Sequence, residues 1–234
     1  MVCAMCGRAY STVTQEELSY RYLNKRPLKL DGWRETFNLA PTQPLPVVFQ
    51  DQEGERQIEL FRWGLVPTWA KDRKIGSSLI NARSETVAEK PSFRSAFKSR
   101  RCLVPLSGFF EWSKRGESKT PYRVSFKDDP IMTMAGIHEH WKDPESGELL
   151  NTFAIITTHP NAALEPFHDR QPVTLDEEGQ KLWLSAEAQP DALKGLLVPC
   201  PSTWLEIVEI SKLVNSPRNN RPEVLEPAAA ARGN

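Results

Sequence analysis

The segment Gln57-Ile58-Glu59-Leu60-Phe61-Arg62-Trp63, followed directly by Gly64-Leu65-Val66-Pro67-Thr68-Trp69, is the part of the sequence that best indicates the fold. Its first seven residues alternate with a period of two, with Ile58 and Leu60 on one face and Phe61 on the other, which predicts a β-strand. The glycine and proline of the second part predict that this strand ends in a loop.

Further strands are predicted outward from this segment, where short stretches are rich in β-branched or aromatic residues. They cover residues 47–49, 101–106, 121–126, 131–138, 152–158 and 204–210. Residues 37–42 are typical of a turn, and Pro44 and Pro46 predict an irregular segment before the strand at 47–49.

Helices are predicted where capping residues precede helical spacing of apolar residues. Thr14-Gln15-Glu16-Glu17 has the capping-box pattern and predicts a helix over 15–24. Others are predicted around 92–99, 176–184 and 190–197, with Asp176 as a cap. Because strands dominate, we expect an α+β fold: a single domain with a curved, mostly antiparallel, barrel-like sheet and flanking helices.

The composition sets limits on the class of protein. The chain has 234 residues, 39% of them hydrophobic, which suffices for one substantial core. Thirty basic and thirty acidic side chains cancel, so net charge gives no support for nucleic-acid binding. Among the four cysteines, Cys3 and Cys6 have no second pair that would complete a metal site, which favours reduced thiols in a cytoplasm. No apolar run is long enough to span a membrane, so we expect a soluble protein.

Met5-Cys6-Gly7-Arg8 contains the most reactive arrangement in the chain, provided that Cys6 becomes the first residue. Cys6 would then carry a thiol and a free amine on adjacent carbons. Such an aminothiol condenses with an aldehyde to a Schiff base, and the thiolate closes a thiazolidine ring. The alternative interpretation of these residues is a buried cysteine beside a turn glycine and a surface arginine.

Several other short motifs accompany this start, and together they resemble the SOS-response-associated peptidase (SRAP) family. They are Asn38-Leu39-Ala40-Pro41, Trp63-Gly64-Leu65-Val66-Pro67, Ile80-Asn81-Ala82-Arg83-Ser84-Glu85-Thr86, Gly108-Phe109-Phe110-Glu111-Trp112 and His168-Asp169-Arg170-Gln171-Pro172. The resemblance covers residues 5–227, which we expect to form one SRAP domain. Residues 1–4 are then a leader or the result of a misassigned start, and 228–234 a disordered tail.

The resemblance implies a function in the DNA damage response. It implies that the chain recognises abasic sites in single-stranded DNA and crosslinks to them through its N-terminal cysteine, with lyase-like and autoproteolytic peptidase activity as further expectations. The family's catalytic residues correspond to Cys6, Asn81, Glu111 and His168. Chemically, His168 can help open the closed sugar to its aldehyde, Glu111 can pass protons, and Asn81 can hold the sugar by uncharged hydrogen bonds.

Candidate DNA contacts lie in or beside the same motifs. Arginines suit phosphate oxygens and tryptophans suit unstacked bases. The candidates are Arg8, Asn38, Pro41, Trp69, Arg83, Trp112 and Arg170. We expect single-stranded DNA as the partner, a monomer, association with the nucleoid when bound to DNA, and no cofactor, metal or membrane; replication-fork proteins are a further candidate class of partner.

The N-terminus departs from this family pattern. As written, Cys6 is internal, so its nitrogen is an amide that cannot form a Schiff base. Three explanations are open: translation begins at Met5, the protein cleaves its own leader, or this chain binds DNA without a stable crosslink. The first is favoured because a methionine stands immediately before the cysteine.

Two other functions fit the same residues. Cys6, His168 and either Glu111 or Asn81 could be the nucleophile, base and orienting group of a thiol peptidase. The same groove could instead be a non-catalytic module that binds single-stranded DNA. A metal site at His138-Glu139-His140 is disfavoured, because alternation along a strand puts two histidines on one face without a further ligand.

Overall fold

Twelve strands and four α-helices make up the part of the chain described by the computed structural model, residues 7–113 and 119–228. In chain order they are β1 Ala9–Ser11, α1 Gln15–Tyr22, β2 Thr36–Leu39, β3 Pro44–Gln50, β4 Arg56–Trp63, β5 Asn81–Arg83, α2 Arg94–Ser99, β6 Arg101–Leu106, β7 Gly108–Ser113, β8 Thr120–Phe126, β9 Met132–Lys142, β10 Leu149–Thr158, β11 Gln171–Pro172, α3 Glu177–Leu184, α4 Pro190–Gly195 and β12 Leu205–Glu209. Short 3-10 helices cover Arg73–Ser78, Ser202–Trp204, Lys212–Asn215 and Pro222–Leu225.

Five of the strands close into a barrel, in the order β10-β4-β3-β6-β9 and back to β10. Neighbours in this ring are antiparallel except β10 and β4, which run parallel. A closed ring of five strands cannot alternate direction throughout, so one parallel pair is a geometric necessity. At that pair the rings of Trp63 and Phe153 stack with centroids 6.4 Å apart, and both side chains are fully buried.

A second, antiparallel sheet has the order β12-β8-β7-β1-β2. The chain passes from barrel strand β6 to β7 through the single residue Ser107. The next residue, Gly108, cannot be replaced by a residue with a side chain, because a Cβ there would lie 2.3 Å from the carbonyl oxygen of Val124. The direct connection therefore fixes the position of β7 against the barrel. Together the barrel, this sheet and the helices confirm the expected α+β class.

The predicted helices and their caps are confirmed. Glu17 N–H donates to Thr14 Oγ1 over 3.2 Å, and Thr14 N–H donates to the Glu17 carboxylate over 2.8 Å, which completes the capping box of α1. Asp176 accepts from Gly179 N–H over 2.8 Å at the start of α3. None of the described helices is long and apolar enough to cross a membrane.

Two predictions around residue 40 were wrong. The predicted turn at 37–42 begins as strand β2, and β3 starts at Pro44 in the segment expected to be irregular. β3 pairs with β6 only at Val48 and Phe49, so both prolines occupy a part of the strand with a single neighbour, where a missing N–H is tolerated. The short strands β1, β5 and β11, and also β7, were not predicted.

The predicted terminal segments fall largely outside the described residues. This holds for the predicted leader at 1–4, for Met5 and Cys6, and for 229–234 of the predicted tail. Ala228, the first residue of that tail, donates its N–H to the carbonyl of Glu209 over 2.9 Å.

The barrel encloses a histidine, His138, that should make the protein sensitive to acid. Its ring is 4% exposed and lies 5.3 Å from the rings of both Phe49 and Phe61. Burial, helped by the charges of His140 and Arg100, lowers the pKa of His138 from 6.5 to about 3. Below pH 6.5 His138 therefore becomes protonated in the unfolded chain but stays neutral in the folded chain. The free energy of unfolding, which is at its full value above pH 6.5, consequently falls as the pH is lowered toward 3.

We expect this one group to remove about 1 kcal/mol of unfolding free energy between pH 7 and about pH 5.5. Urea unfolding at a series of pH values measures the loss. His138→Phe, which replaces the titrating ring by an apolar one, should flatten this part of the profile. His159→Gln, at an exposed position, is the control and should keep it. An unchanged slope in His138→Phe would contradict the assignment.

Candidate functional site

Four of the predicted site residues gather around the end of β10. Asn81 and Arg83 belong to β5, which pairs in parallel with β10 at Ile155 and Thr157. His168 and Arg170 immediately precede β11, which pairs with β10 on its other side. Two motifs that are far apart in the chain therefore flank the same strand end.

An aromatic contact brings His168 to the sheet that carries Glu111. Glu111 on β7 is 4% exposed and stands directly opposite Tyr122 on β8. The ring of Tyr122 packs edge-to-face on Phe167, the residue before His168, with centroids 4.7 Å apart. His168 Nδ1 lies 2.6 Å from the carboxylate of Asp169, and its side chain is 11% exposed. The predicted acid-base residues thus lie on two neighbouring segments.

The N-terminal segment runs alongside Glu111. Ala9 pairs with Phe109, and Phe110 N–H donates to the carbonyl of Arg8 over 2.9 Å. Continuing this antiparallel register by one further pair sets Gly7 level with Glu111. Cys6 lies outside the described residues, but it is bonded directly to Gly7.

Arg8 is held between strand β2 and the segment after β12. Its guanidinium donates to Asn38 Oδ1 over 2.9 Å and to the carbonyl of Val214 over 2.8 Å. It also lies 5.9 Å from the ring of Trp112, whose indole N–H donates to Asn215 Oδ1 over 2.7 Å. Burial lowers the pKa of Arg8 from its usual value. Arg8 and Trp112 are therefore fixed together beside Glu111.

Asn38 is the organising residue of this network and is 1% exposed. Its Nδ2 donates to the carbonyls of Val214, Ser216 and Asn219 over 3.2, 2.9 and 2.9 Å, while its Oδ1 accepts from Arg8. These contacts give Asn38 a positioning role. A direct DNA contact of Asn38 remains a prediction.

Arg170 is directed inward. It is 9% exposed, pairs through two nitrogens with the carboxylate of Glu85, and donates to the carbonyl of Thr157 over 2.6 Å. The guanidinium lowers the pKa of Glu85 to about 2. Arg170 therefore ties the loop after β5 to β10. Arg83, by contrast, is exposed and forms no ion pair with another described residue.

Trp69 is 58% exposed on a loop that is anchored at both sides. A Cβ on Gly64, whose φ is +124°, would lie 2.5 Å from the carbonyl oxygen of Gly76, so the two backbone segments approach as closely as glycine permits. The indole of Trp141 donates to the carbonyl of Ala70 over 2.8 Å. The exposed ring thus stands on a fixed support.

Pro41 lies half-buried in the turn between β2 and β3. The next residue, Thr42, has a φ of +78° and donates its N–H to the carbonyl of Trp63 over 2.8 Å.

Within the described ranges, no group of three or more histidines, cysteines, aspartates or glutamates is arranged to hold a metal ion.

Several contacts that shape this site were not predicted from the sequence. The ion pair of Glu85 with Arg170 could have been suspected, since Glu85 lies in the motif at 80–86. The contact of Tyr122 with Phe167 carried no signal, because it joins segments that are far apart in the chain. The loop ending in Asn219 carried none either, as nothing in it marks its backbone carbonyls as acceptors for Asn38.

Residues 5–217 match the family described as SOS response associated peptidase (SRAP). The chain belongs to the SRAP family. This confirms the resemblance seen in the sequence motifs.

Relatives of this SRAP chain include proteins from bacteria and vertebrates. It is 41% identical over 224 residues to "Abasic site processing protein YoqW" of Bacillus subtilis, covering 95% of this chain and 99% of the relative. It is 43% identical over 225 residues to "Abasic site processing protein YoaM" of the same organism, covering 95% and 98%. With "Abasic site processing protein HMCES" of Xenopus tropicalis it shares 30% identity over 263 residues, covering 94% and 78%.

Solved structures share the fold of this chain. The crystal structure of a protein from Bacteroides thetaiotaomicron has a TM-score of 0.86 and 30% sequence identity, covering 95% of this chain and all of that one. A protein from Bordetella bronchiseptica, 22% identical with a TM-score of 0.74 over 88% of this chain, shows the same fold.

Proposed function

We propose that this SRAP protein senses abasic sites in single-stranded DNA and seals them as a thiazolidine crosslink through Cys6, after residues 1–5 have been removed. The observation that carries the proposal is the pairing of Ala9 with Phe109 and the hydrogen bond from Phe110 N–H to the carbonyl of Arg8. Extended by one pair, this register sets Gly7, the neighbour of Cys6, level with Glu111. Three relatives named as abasic site processing proteins support it. The crosslink protects the lesion during the DNA damage response.

The reaction joins one aldehyde and one aminothiol and releases one water. The closed sugar first opens to its C1′ aldehyde. The α-amine of Cys6 adds to C1′, and loss of water gives a Schiff base. The thiolate of Cys6 then attacks the same carbon, the imine nitrogen takes a proton, and the five-membered ring closes.

Three side chains serve these steps. His168, held beside Asp169, moves a proton at the ring oxygen of the sugar as it opens. Glu111, next to the N-terminal segment, transfers protons as water leaves and the ring closes. Asn81 on β5 holds the opened sugar through its uncharged amide.

DNA binding in this proposal is independent of sequence. The exposed Arg83 contacts a phosphate, and Trp69, exposed on its fixed loop, stacks on an unpaired base. Arg8 and Trp112 provide a second cation and ring near Glu111. Stacking on one aromatic is worth about 1 to 3 kcal/mol per base whatever the base, which suits a sensor of base loss.

The route to a free Cys6 amine is part of the proposal. The match to the family begins at residue 5, so residues 1–4 lie outside it, and the route we favour is translation from Met5 followed by methionine removal. Self-cleavage by the thiol of Cys6 would be the peptidase activity in the family description. A lyase-like reaction is the competing fate of the Schiff base, in which the C2′ proton and the 3′ phosphate leave; ring closure removes the imine and so prevents strand cleavage.

An adduct assay with Glu111→Gln tests the proposal. The protein, translated from Met5 and processed so that its chain begins at Cys6, is incubated with a single-stranded oligonucleotide containing one abasic site, and the heat-stable adduct is followed with time. We expect Glu111→Gln to slow its formation about 100-fold, because an amide cannot transfer the protons that Glu111 supplies.

Glu145→Gln, an exposed carboxylate on the turn between β9 and β10, is the matched control and should react at the normal rate. The same oligonucleotide without the abasic site should give no adduct. Cleavage of peptide substrates in the absence of any DNA adduct would reject the proposal in favour of a thiol peptidase. Unmodified DNA binding that Cys6→Ser leaves intact, again without adduct, would favour a binding module.

A further inference from the structure

A groove lies at the far end of β8 from Glu111. It consists of two adjoining cavities of about 300 Å³ and about 500 Å³, which share Arg21, Ile131 and Glu177 in their walls. Phe126 lines it and is four residues further along the strand than Tyr122, the partner of Glu111, which corresponds to about 13 Å. Of the predicted catalytic and DNA-contacting residues that the structure describes, none lines this groove.

The floor of this groove is apolar and partly aromatic. Phe126 and Trp204 pack edge-to-face with centroids 5.7 Å apart, and Ile131 and Leu175 complete the floor. Trp204 is 37% exposed and Tyr20, on the wall, 67% exposed. Exposed aromatic surface of this kind is typical of sites that anchor another protein.

Its rim is acidic. Among the described residues that line the groove Arg21 is the one cation, and it is already bonded to Asp129 over 2.7 Å. The lining carboxylates are Glu16, Glu17, Asp128, Asp129, Asp176 and Glu177. In the described part of the chain no three of them converge on one point as metal ligands would. Carboxylates spread along a groove complement an extended cation rather than a single ion.

We propose that this acidic groove docks a segment of another protein that carries lysine or arginine side chains next to an aromatic or aliphatic one. The apolar side chain packs on Phe126 and Trp204, and the basic side chains meet the rim. DNA is excluded from the groove, because six carboxylates repel phosphates. The groove therefore stays open while DNA occupies the other end of β8, and this role does not depend on how the crosslink forms.

Peptide selection tests the proposal. A random-peptide phage library is selected on the whole protein, the enriched peptide is synthesised with a fluorescent label, and its Kd is measured by anisotropy at low and high salt. We expect enriched peptides with net positive charge and an apolar residue. The variant Glu16→Gln/Asp128→Asn/Glu177→Gln should bind the peptide at least about tenfold more weakly, with a smaller salt dependence.

The control variant Glu145→Gln/Glu148→Gln/Asp191→Asn loses the same charge at exposed positions outside the groove and should bind normally. Tyr20→Ala separates the apolar contribution and should also weaken binding. Thermal unfolding shows whether each variant is folded. An empty selection, enrichment of peptides without positive charge, or equal Kd values for the two triple variants would overturn the proposal, whether or not the protein crosslinks to DNA.

Discussion

A protein whose chain begins at Cys6 is expected to form a heat-stable adduct with abasic single-stranded DNA, whereas the same protein retaining residues 1–5 is expected to form none. The physical reason is that an amide nitrogen is not nucleophilic, so the Schiff base cannot form. A thiol alone gives only a reversible hemithioacetal. Denaturing gel electrophoresis after heating, with the N-terminus of each preparation verified by mass, measures the difference.

Cys6→Ser separates the two halves of the reaction. It keeps the free amine, so borohydride should still trap a Schiff base, but it lacks the sulfur that closes the stable ring. The yield of heat-stable adduct should fall about 100-fold, since the intramolecular thiol accounts for a high effective concentration at the imine carbon. The internal control is a substitution of a buried cysteine away from the site, Cys102→Ala, which should leave the adduct unchanged. Equal adduct yields from Cys6→Ser and Cys102→Ala would refute the role of the thiol.

Asn38→Ala is expected to lower the unfolding free energy by about 3 to 5 kcal/mol. The substitution removes all of the side-chain hydrogen bonds from a residue that is 1% exposed: two N–H groups shared among three backbone carbonyls, and the oxygen that accepts from Arg8. It also releases Arg8, so the rate of adduct formation should fall with it. Urea unfolding gives the free energy, and the adduct assay gives the rate.

Two further substitutions show whether hydrogen bonding is the cause. Asn38→Asp keeps an acceptor for Arg8 but turns a carboxylate toward three carbonyls, so it should be at least as destabilising as alanine. Asn220→Ala removes one hydrogen bond at the edge of the same network, from Phe37 N–H, and should cost about 1 kcal/mol. If Asn38→Ala and Asn220→Ala cost the same, the network has been misassigned.

Local chemistry made part of the fold predictable. Thr14 and Glu17 form their capping box within four residues, and Asp176 accepts from the N–H three residues further on at the start of α3, so the local sequence contains the information needed. Periodicity was equally sufficient for β4. It was insufficient at Pro44, because the tolerance of a strand for proline depends on which of its edges is paired, and that is a property of the whole barrel.

In the candidate site, too, the local features were predictable and the contacts between distant segments were not. Its motifs could be found because the side chains themselves carry the chemistry, as with Glu111 and His168. What joins them could not, because the contact of Tyr122 with Phe167 and the ion pair of Arg170 with Glu85 arise from packing between distant segments. Asn38 illustrates the consequence: its motif marked it as a site residue, but its burial against three carbonyls became visible only in the folded chain.

Mass spectrometry of the protein–DNA adduct, intact and after digestion, is the most direct test of the central claim. We expect an intact mass equal to residues 6–234 plus the oligonucleotide less one water, and a digest in which the sugar is attached to the peptide that starts at Cys6. An adduct that still contains residues 1–5, or one attached through any other residue, would contradict it.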